Sequence, residues 1–308
     1  MTELTCIVDS MSYIQDNCYQ HQLSRELDSR FDVTYVPITE VDRVRSLPGI
    51  VMSRLKLRTL DRTLKSVQAA LSDRPVFVYE QDPWESFIVS SPHFGSYKRI
   101  NDSLNVVSFL NTSSWWSEQV RALGIRSRFV QMWIDPSYCR DPIPWAKRKK
   151  NVVFCGTMYP RRQKFFDALE RAGTKVEIVK SGFGYRSYLD LVADCKMMIR
   201  SERVEWDVEL ASGRVMLNDP HALWIRDVEC ASQGCFSSRE HDDEYVAWNL
   251  PRIFNVTPFV GSIDEAREVI DLVLSLPADD ADAIVQASVA SVKTAPGWST
   301  VSEALLAG

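Results

Sequence analysis

The sequence predicts an α/β protein built from two doubly wound domains, and three observations carry that expectation. Short β-rich runs alternate with stretches of helical apolar spacing along the chain. A basic stretch with two prolines at 140–150 (RDPIPWAKRKK) interrupts the alternation, which then restarts. The length of 308 residues suits two domains of ordinary size. Alternating strands and helices imply parallel sheets covered on both faces. Two such halves should face a cleft, with ligands at the carboxyl ends of strands and near helix N-termini.

The elements follow in order. Leu4–Val8 is an apolar run ending at Asp9, and a helix is expected across Gln15–Leu27. Phe31–Pro37 is β-rich and stops at a proline; Leu55–Leu71 repeats Leu57, Leu60, Leu64, Val67 and Leu71 at helical spacing. Pro75–Tyr79 and Asn105–Leu110 read as buried strands. A helix over Ser113–Leu123 stops at Gly124, and Phe129–Trp133 reads as the next strand. After the linker, Asn151–Cys155, Lys175–Val179, Met197–Arg200 and Cys235–Ser237 read as strands. Arg161–Ala172, Tyr188–Cys195 and Arg226–Gln233 read as helices, and Ile263–Leu276, Asp279–Lys293 and Ser299–Leu306 close the chain. The expected boundary is 145/146, giving an N-terminal domain 1–145 and a C-terminal domain 146–308.

Composition narrows the function. With 45% hydrophobic residues, 25% charged residues and a net charge of −5, the chain has core material but no global basic field for nucleic acid or anionic membranes. Local basic patches remain open, at Arg43–Arg62 and Lys147–Lys150. The seven cysteines are scattered and form no CxxC pair, which points to reduced thiols rather than a disulfide framework or zinc site. The start, MTELTCIVDS, has no signal-peptide pattern, and no run approaches the ~20 apolar residues that span a bilayer. A cytoplasmic protein, at most peripheral to a membrane, is expected.

Three segments could carry chemistry. In Val153–Lys164 (VFCGTMYPRRQK) a buried strand ends in Gly156-Thr157, and a helix opens with Arg161, Arg162 and Lys164. Glycine lets backbone approach a ligand, and arginine offers a planar fork for phosphate oxygens. Cations oppose the dipole at a helix N-terminus, so they make poor stabilisers and sensible anion binders. A solvated basic face is the other reading, and neither a Walker A loop nor GxGxxG is present. In Trp224–Cys235 (WIRDVECASQGC), Arg226 and Glu229 share a helical face and Gly234 is a natural C-cap. Glu229 could accept ribose hydroxyls; an exposed i,i+3 ion pair is the alternative. In Tyr79–Lys98, Asp82 and Glu80, with His93 third, could act as general base toward an acceptor hydroxyl. A solvent-exposed loop explains the same residues. His21 and His241 have no context that marks a site. Trp115-Trp116 offers an aromatic face, with one tryptophan expected in the core.

Together these stretches resemble nucleotide-sugar glycosyltransferases of the B fold (GT-B), in the branch with group 1 and spore-maturation-type transferases. Val228–Cys235 looks like that family's donor-site E-A-x-A-x-G-x-P segment, which implies that Glu229 holds the donor ribose. Phe154–Thr157 with Arg161, Arg162 and Lys164 is similar to the loop whose basic residues hold the donor pyrophosphate. Asn111–Cys139 resembles the segment before the family's linker, and Trp298-Ser299 with Val301–Leu306 its closing helix, which crosses back to the N-terminal domain. The sequence departs at three places: His221 replaces a glutamate, Phe236 replaces a proline, and Asp9–Tyr13 replaces a glycine-rich loop.

The resemblance implies two Rossmann-like domains and a transferase moving a sugar, from a UDP-sugar above all, to a hydroxyl of a saccharide or other acceptor. Gly156, Thr157, Arg161, Arg162, Lys164, Arg200, Arg226 and Glu229 would bind the donor. Asp82, His93 and Glu80 would serve catalysis, near Trp115. No cofactor or essential metal is expected. A transferase acting on hydroxymethylated bases of phage-type DNA, or a noncatalytic sugar-nucleotide-binding protein, are the competing readings.

Overall fold

A computed structural model describes residues 1–14, 19–180, 182, 184–201, 203–222, 225–240, 256–259 and 262–308. The positions read above at 15–18, Trp224 and His241 lie outside the described residues. The chain runs β1 (Thr2–Val8), α1 (Tyr19–Arg30), β2 (Phe31–Pro37), β3 (Ile50–Arg54), α2 (Leu57–Leu71), β4 (Val76–Glu80), α3 (Ser96–Ser103), β5 (Val106–Asn111), α4 (Ser114–Ala122) and β6 (Ser127–Phe129). It continues with β7 (Lys150–Cys155), α5 (Pro160–Arg171), β8 (Glu177–Val179), α6 (Tyr185–Ala193), β9 (Cys195–Arg200), the strands β10 (Trp206–Leu210) and β11 (Gly213–Leu217), α7 (Ile225–Ser232), β12 (Phe236–Glu240) and β13 (Val256–Phe259). It closes with α8 (Ile263–Leu274), α9 (Ala278–Thr294) and α10 (Ser299–Leu306).

The α/β expectation holds. Two compact units form, Met1–Met132 with Glu205–Ala222 and Pro296–Gly308, and Trp133–Val204 with Leu223–Ala295. The first holds a six-stranded sheet in the order β2-β1-β3-β4-β5-β6, and the second a five-stranded sheet in the order β13-β12-β9-β7-β8. Every pairing in both sheets is parallel. In each sheet the strand order reverses, between β1 and β3 in the first and between β7 and β9 in the second. Loops at the carboxyl ends diverge at such points and leave a crevice.

Local chemistry explains the elements. The helix α2 buries Leu57, Leu60, Val67 and Leu71 on one face, as its period requires. In α4 the Ser113 side chain caps the helix by accepting from the Trp116 amide at 3.0 Å. Ser262 caps α8 by accepting from the Glu265 amide at 3.1 Å, and Asp264 and Glu265 complement the positive end of the helix. Gly49 turns the chain into β3 with φ +83°, and a Cβ there would sit 2.1 Å from the Glu3 carbonyl oxygen.

Three differences from the sequence reading have physical causes. The strand expected over Phe129–Trp133 is Ser127–Phe129 instead, since Trp133 belongs to the second unit, where its indole N–H donates to the Val292 carbonyl at 3.1 Å. The stretch 140–150 is accordingly fastened to the second unit rather than free. Trp145 is buried, and Arg148 donates to the Ile143, Cys195 and Gly234 carbonyls. Lastly, β10 and β11 form an antiparallel hairpin on the first unit. It bonds to residues 87–89 through the Val89 and Glu209 amides, and Trp206 stacks on Trp84 at 5.5 Å. The closing helix α10 also belongs to the first unit, where the Thr300 hydroxyl accepts from the Gln131 amide at 2.9 Å.

Gly49→Ala forces a side chain into left-handed backbone against a fixed carbonyl. It should cost at least about 1–3 kcal/mol in urea unfolding of the whole chain. Unchanged stability would show that the turn can rearrange.

Candidate functional site

In the second unit the sheet's reversal point places Gly156 after β7 beside Ser201 after β9. Arg162, in the first turn of α5, fastens the two loops: its Nε donates to the Ser201 carbonyl and its Nη1 to the Thr157 carbonyl, both at 2.9 Å. Its guanidinium also lies over the Phe154 and Tyr159 rings, at 5.6 and 5.1 Å. Arg162 therefore shapes the loop with its own donors. Arg161 and Lys164 have no carboxylate partner among the described residues, and Arg161 Nη1 is buried with no hydrogen-bond partner. Such a nitrogen is costly to leave dry.

Gly156, with φ +156°, admits Arg226: a Cβ there would lie 2.8 Å from its Nη1, which donates to the Cys155 carbonyl at 2.8 Å. Glu229 is 2% exposed, so it is no ordinary surface ion pair. Burial pushes its carboxyl pKa up, opposed by a hydrogen bond from Tyr185 and then by the Arg226 charge. Arg200, also read as a donor ligand, lies in the interior at 1% exposure, ion-paired with the fully buried Asp227. Arg239 completes the cluster at 3.6 Å from the same carboxylate.

In the first unit the reversal point gathers Asp9, Lys56 and Glu80 at the carboxyl ends of β1, β3 and β4. Asp9 accepts from the Lys56 amide at 3.1 Å. Glu80 is 1% exposed; its Oε1 accepts from the Asp82 amide at 2.6 Å, while Oε2 is buried with no hydrogen bond within 3.5 Å among the described residues. It lines a small pocket with Gln20, Arg54, Lys56, Tyr79 and Gln81. Burial, reinforced by the Asp82 charge, raises Glu80 from 4.5 to about 8, against the pull of the Asp82 and Leu57 amides. Asp82 is raised too, mainly by burial, with Lys56 opposing. Both carboxyls hold protons more readily than surface acids do, which suits proton transfer near neutrality. These residues are not a solvent-exposed loop.

His93 sits apart from the Glu80 pocket. Its Nδ1 lies 3.0 Å from Asp61 Oδ2, and Arg99 holds the same carboxylate at 2.8 and 3.1 Å. Burial would raise Asp61, but the hydrogen bonds of Arg99 and His93 outweigh it and keep the carboxyl below its usual range. Asp61 was not foreseen; it lies 32 residues from His93, and no local spacing joins them. Of the tryptophan pair, Trp116 is fully buried and donates to the Pro220 carbonyl at 2.8 Å. Trp115 stacks on His221 at 4.2 Å.

In the two basic stretches left open by the sequence, Arg43 and Arg45 pair with Glu40 and Asp42, Lys150 pairs with Glu177, and Arg148 is buried. The described cysteines Cys6, Cys139, Cys155, Cys195, Cys230 and Cys235 form no disulfide among the described residues. No group of three or more acidic, histidine or cysteine side chains could hold a metal ion among the described residues, and no described helix is long and apolar enough to cross a membrane.

Solved structures share this architecture. HepE from Anabaena, described in complex with UDP and glucose, superposes over 100% of both chains with a TM-score of 0.62 at 10% identity. The sucrose-phosphate synthase of Thermosynechococcus elongatus gives 0.59 at 10% identity, covering 100% of this chain and 98% of its own. An α-glucosyltransferase in complex with UDP and DNA containing an HMU base gives 0.58 at 8% identity over 100% of both. The fold is that of GT-B glycosyltransferases. No family model and no curated protein sequence matches the chain.

Glu80 supplies a test without any ligand. Its proton is held to higher pH in the folded state than in the unfolded chain, so its contribution to stability is whole below about 4.5 and erodes as pH rises toward about 8. Glu80→Gln should lack that loss: relative to the parent, it should gain on the order of a few kcal/mol between pH 5 and 8.5 in denaturant unfolding. A constant difference would show that Glu80 titrates normally.

Proposed function

We propose that the protein is a glycosyltransferase that moves a sugar from a nucleotide-sugar donor, UDP-sugar above all, to a hydroxyl acceptor. The observation that carries the reading is the unspent cation set at the reversal point of the second sheet: Arg161, with its buried unpartnered nitrogen, and Lys164 at the opening of α5, beside Gly156-Thr157. Solved proteins of this fold, described with UDP bound, support the same choice. The diphosphate would lie against Arg161, Lys164 and the α5 N-terminus, with Arg226 assisting and Glu229 taking the ribose hydroxyls. As the acceptor oxygen bonds to the anomeric carbon, the bond from that carbon to the diphosphate oxygen breaks. The nucleoside diphosphate then leaves, its charge stabilised by the fixed cations. The acceptor proton passes to a base, for which Asp82, Glu80 and the Asp61-oriented His93 are the candidates. In this reading no metal is needed.

Arg161→Ala and Glu229→Gln should each weaken UDP binding by about tenfold in calorimetry while melting temperature stays within a few degrees. Unchanged affinity in both would discard the donor site. Transfer should survive EDTA, and loss of turnover on chelation would overturn the metal-free reading. Asp82→Asn, Glu80→Gln and His93→Ala should leave UDP affinity intact, and the base is the residue whose loss lowers kcat by about 100-fold or more. Hydroxymethylated DNA belongs in the acceptor panel, because a fold-mate is described in complex with DNA containing an HMU base.

A further inference from the structure

The first unit carries another concavity, at the amino-terminal ends of β5 and β6, the opposite end of the sheet from Glu80. Its walls are the start of β5, the stretch from Gly124 to Arg128, Arg121 of α4, and Ala307-Gly308. Its cavity volume is about 540 Å³. Three arginines line it, Arg121, Arg126 and Arg128, and no aspartate or glutamate side chain does among the described residues; a carboxylate on Gly308 in its wall would offset one of the three charges. The chain as a whole carries −5, so this local excess of positive charge runs against the average.

The arginines are not equivalent. Arg121 Nη1 donates to the Ser117 hydroxyl and the Ser127 carbonyl, both at 3.1 Å, and Glu118 lies 3.8 Å from its Nη2. It is a fastener of β6. Arg126 Nη2 donates to the Val106 carbonyl at 3.0 Å, which fixes its guanidinium while other N–H groups remain. The Arg128 side chain is exposed and makes no hydrogen bond or ion pair among the described residues. It stands on β6, the edge strand, which among the described residues pairs only with β5.

We infer that this concavity binds a phosphate dianion, free or as the monoester of a small metabolite. Guanidinium forks match phosphate oxygens in pairs. Arg126 is already held in place, so little side-chain freedom is lost on binding. The volume leaves space for a substituent on the phosphate. The site is independent of the donor reading, whose cations belong to the second unit.

The test is calorimetric titration of the full chain with inorganic phosphate, with glycerol 3-phosphate in parallel. An Arg161→Ala/Lys164→Ala background removes any contribution of the donor cations. One site is expected, weakened at least about tenfold by Arg128→Ala and further by adding Arg126→Ala, with unchanged melting curves. A monoester that binds more tightly than inorganic phosphate through the same arginines identifies the metabolite as the source; equal affinity identifies the free anion. Absence of binding, or binding that both variants leave intact, overturns the inference. A short DNA duplex retained through Arg126 and Arg128 while phosphate is not retained also overturns it, because the surface then answers to a polyanion.

Discussion

Both main sheets are parallel throughout, and the rest of the molecule is arranged around that constraint. Parallel neighbours cannot be joined by tight turns, so each connection returns across a face of the sheet, mostly as a helix. All strands therefore end on the same side, and the loops that follow them collect there. Where the strand order reverses, adjacent loops part in opposite directions. Gly156 and Ser201 meet at that place in one sheet, Asp9, Lys56 and Glu80 in the other. The polar residues lie there because the strand directions leave few other places open to a ligand and backed by a rigid sheet.

Much of the fold was legible in the chain. Phe31–Pro37 has the bounds read from its β-branched run, and α2 begins two residues after its expected start, since the Leu57-Leu60-Val67-Leu71 stripe leaves little choice. Elements without an uninterrupted pattern were missed. In β3, IVMSR, serine and arginine look like the start of a turn, yet both are buried, and Arg54 is satisfied there by the Ser24 hydroxyl and the Gln20 carbonyl. The hairpin of β10 and β11 alternates poorly, and the burial of Val208 depends on residues 87–89, more than a hundred positions earlier.

The site was legible in part. Residue type and strand position marked Glu80, Asp82 and the basic opening of α5, because a charge at a strand's carboxyl end needs a reason. What residue type cannot convey is which charges are already spent. Arg161 and Arg162 are neighbours of identical chemistry, but a helix turns 100° per residue, so one points at two carbonyls and the other does not. Arg200 and Asp227, 27 positions apart, cancel inside the core, and Asp61 reaches His93 across a helix and a loop. Such pairings are set by tertiary placement.

The hairpin and α10 have a topological consequence. Because the first unit draws on three separate stretches of chain, the backbone passes between the two units four times. No single cut releases either one whole. A fragment ending at Met132 would leave Trp84 without Trp206 and Gln131 without Thr300. The halves are thus chemically modular yet not genetically so, and a natural or engineered exchange of one unit would have to transplant an interior loop and a tail together.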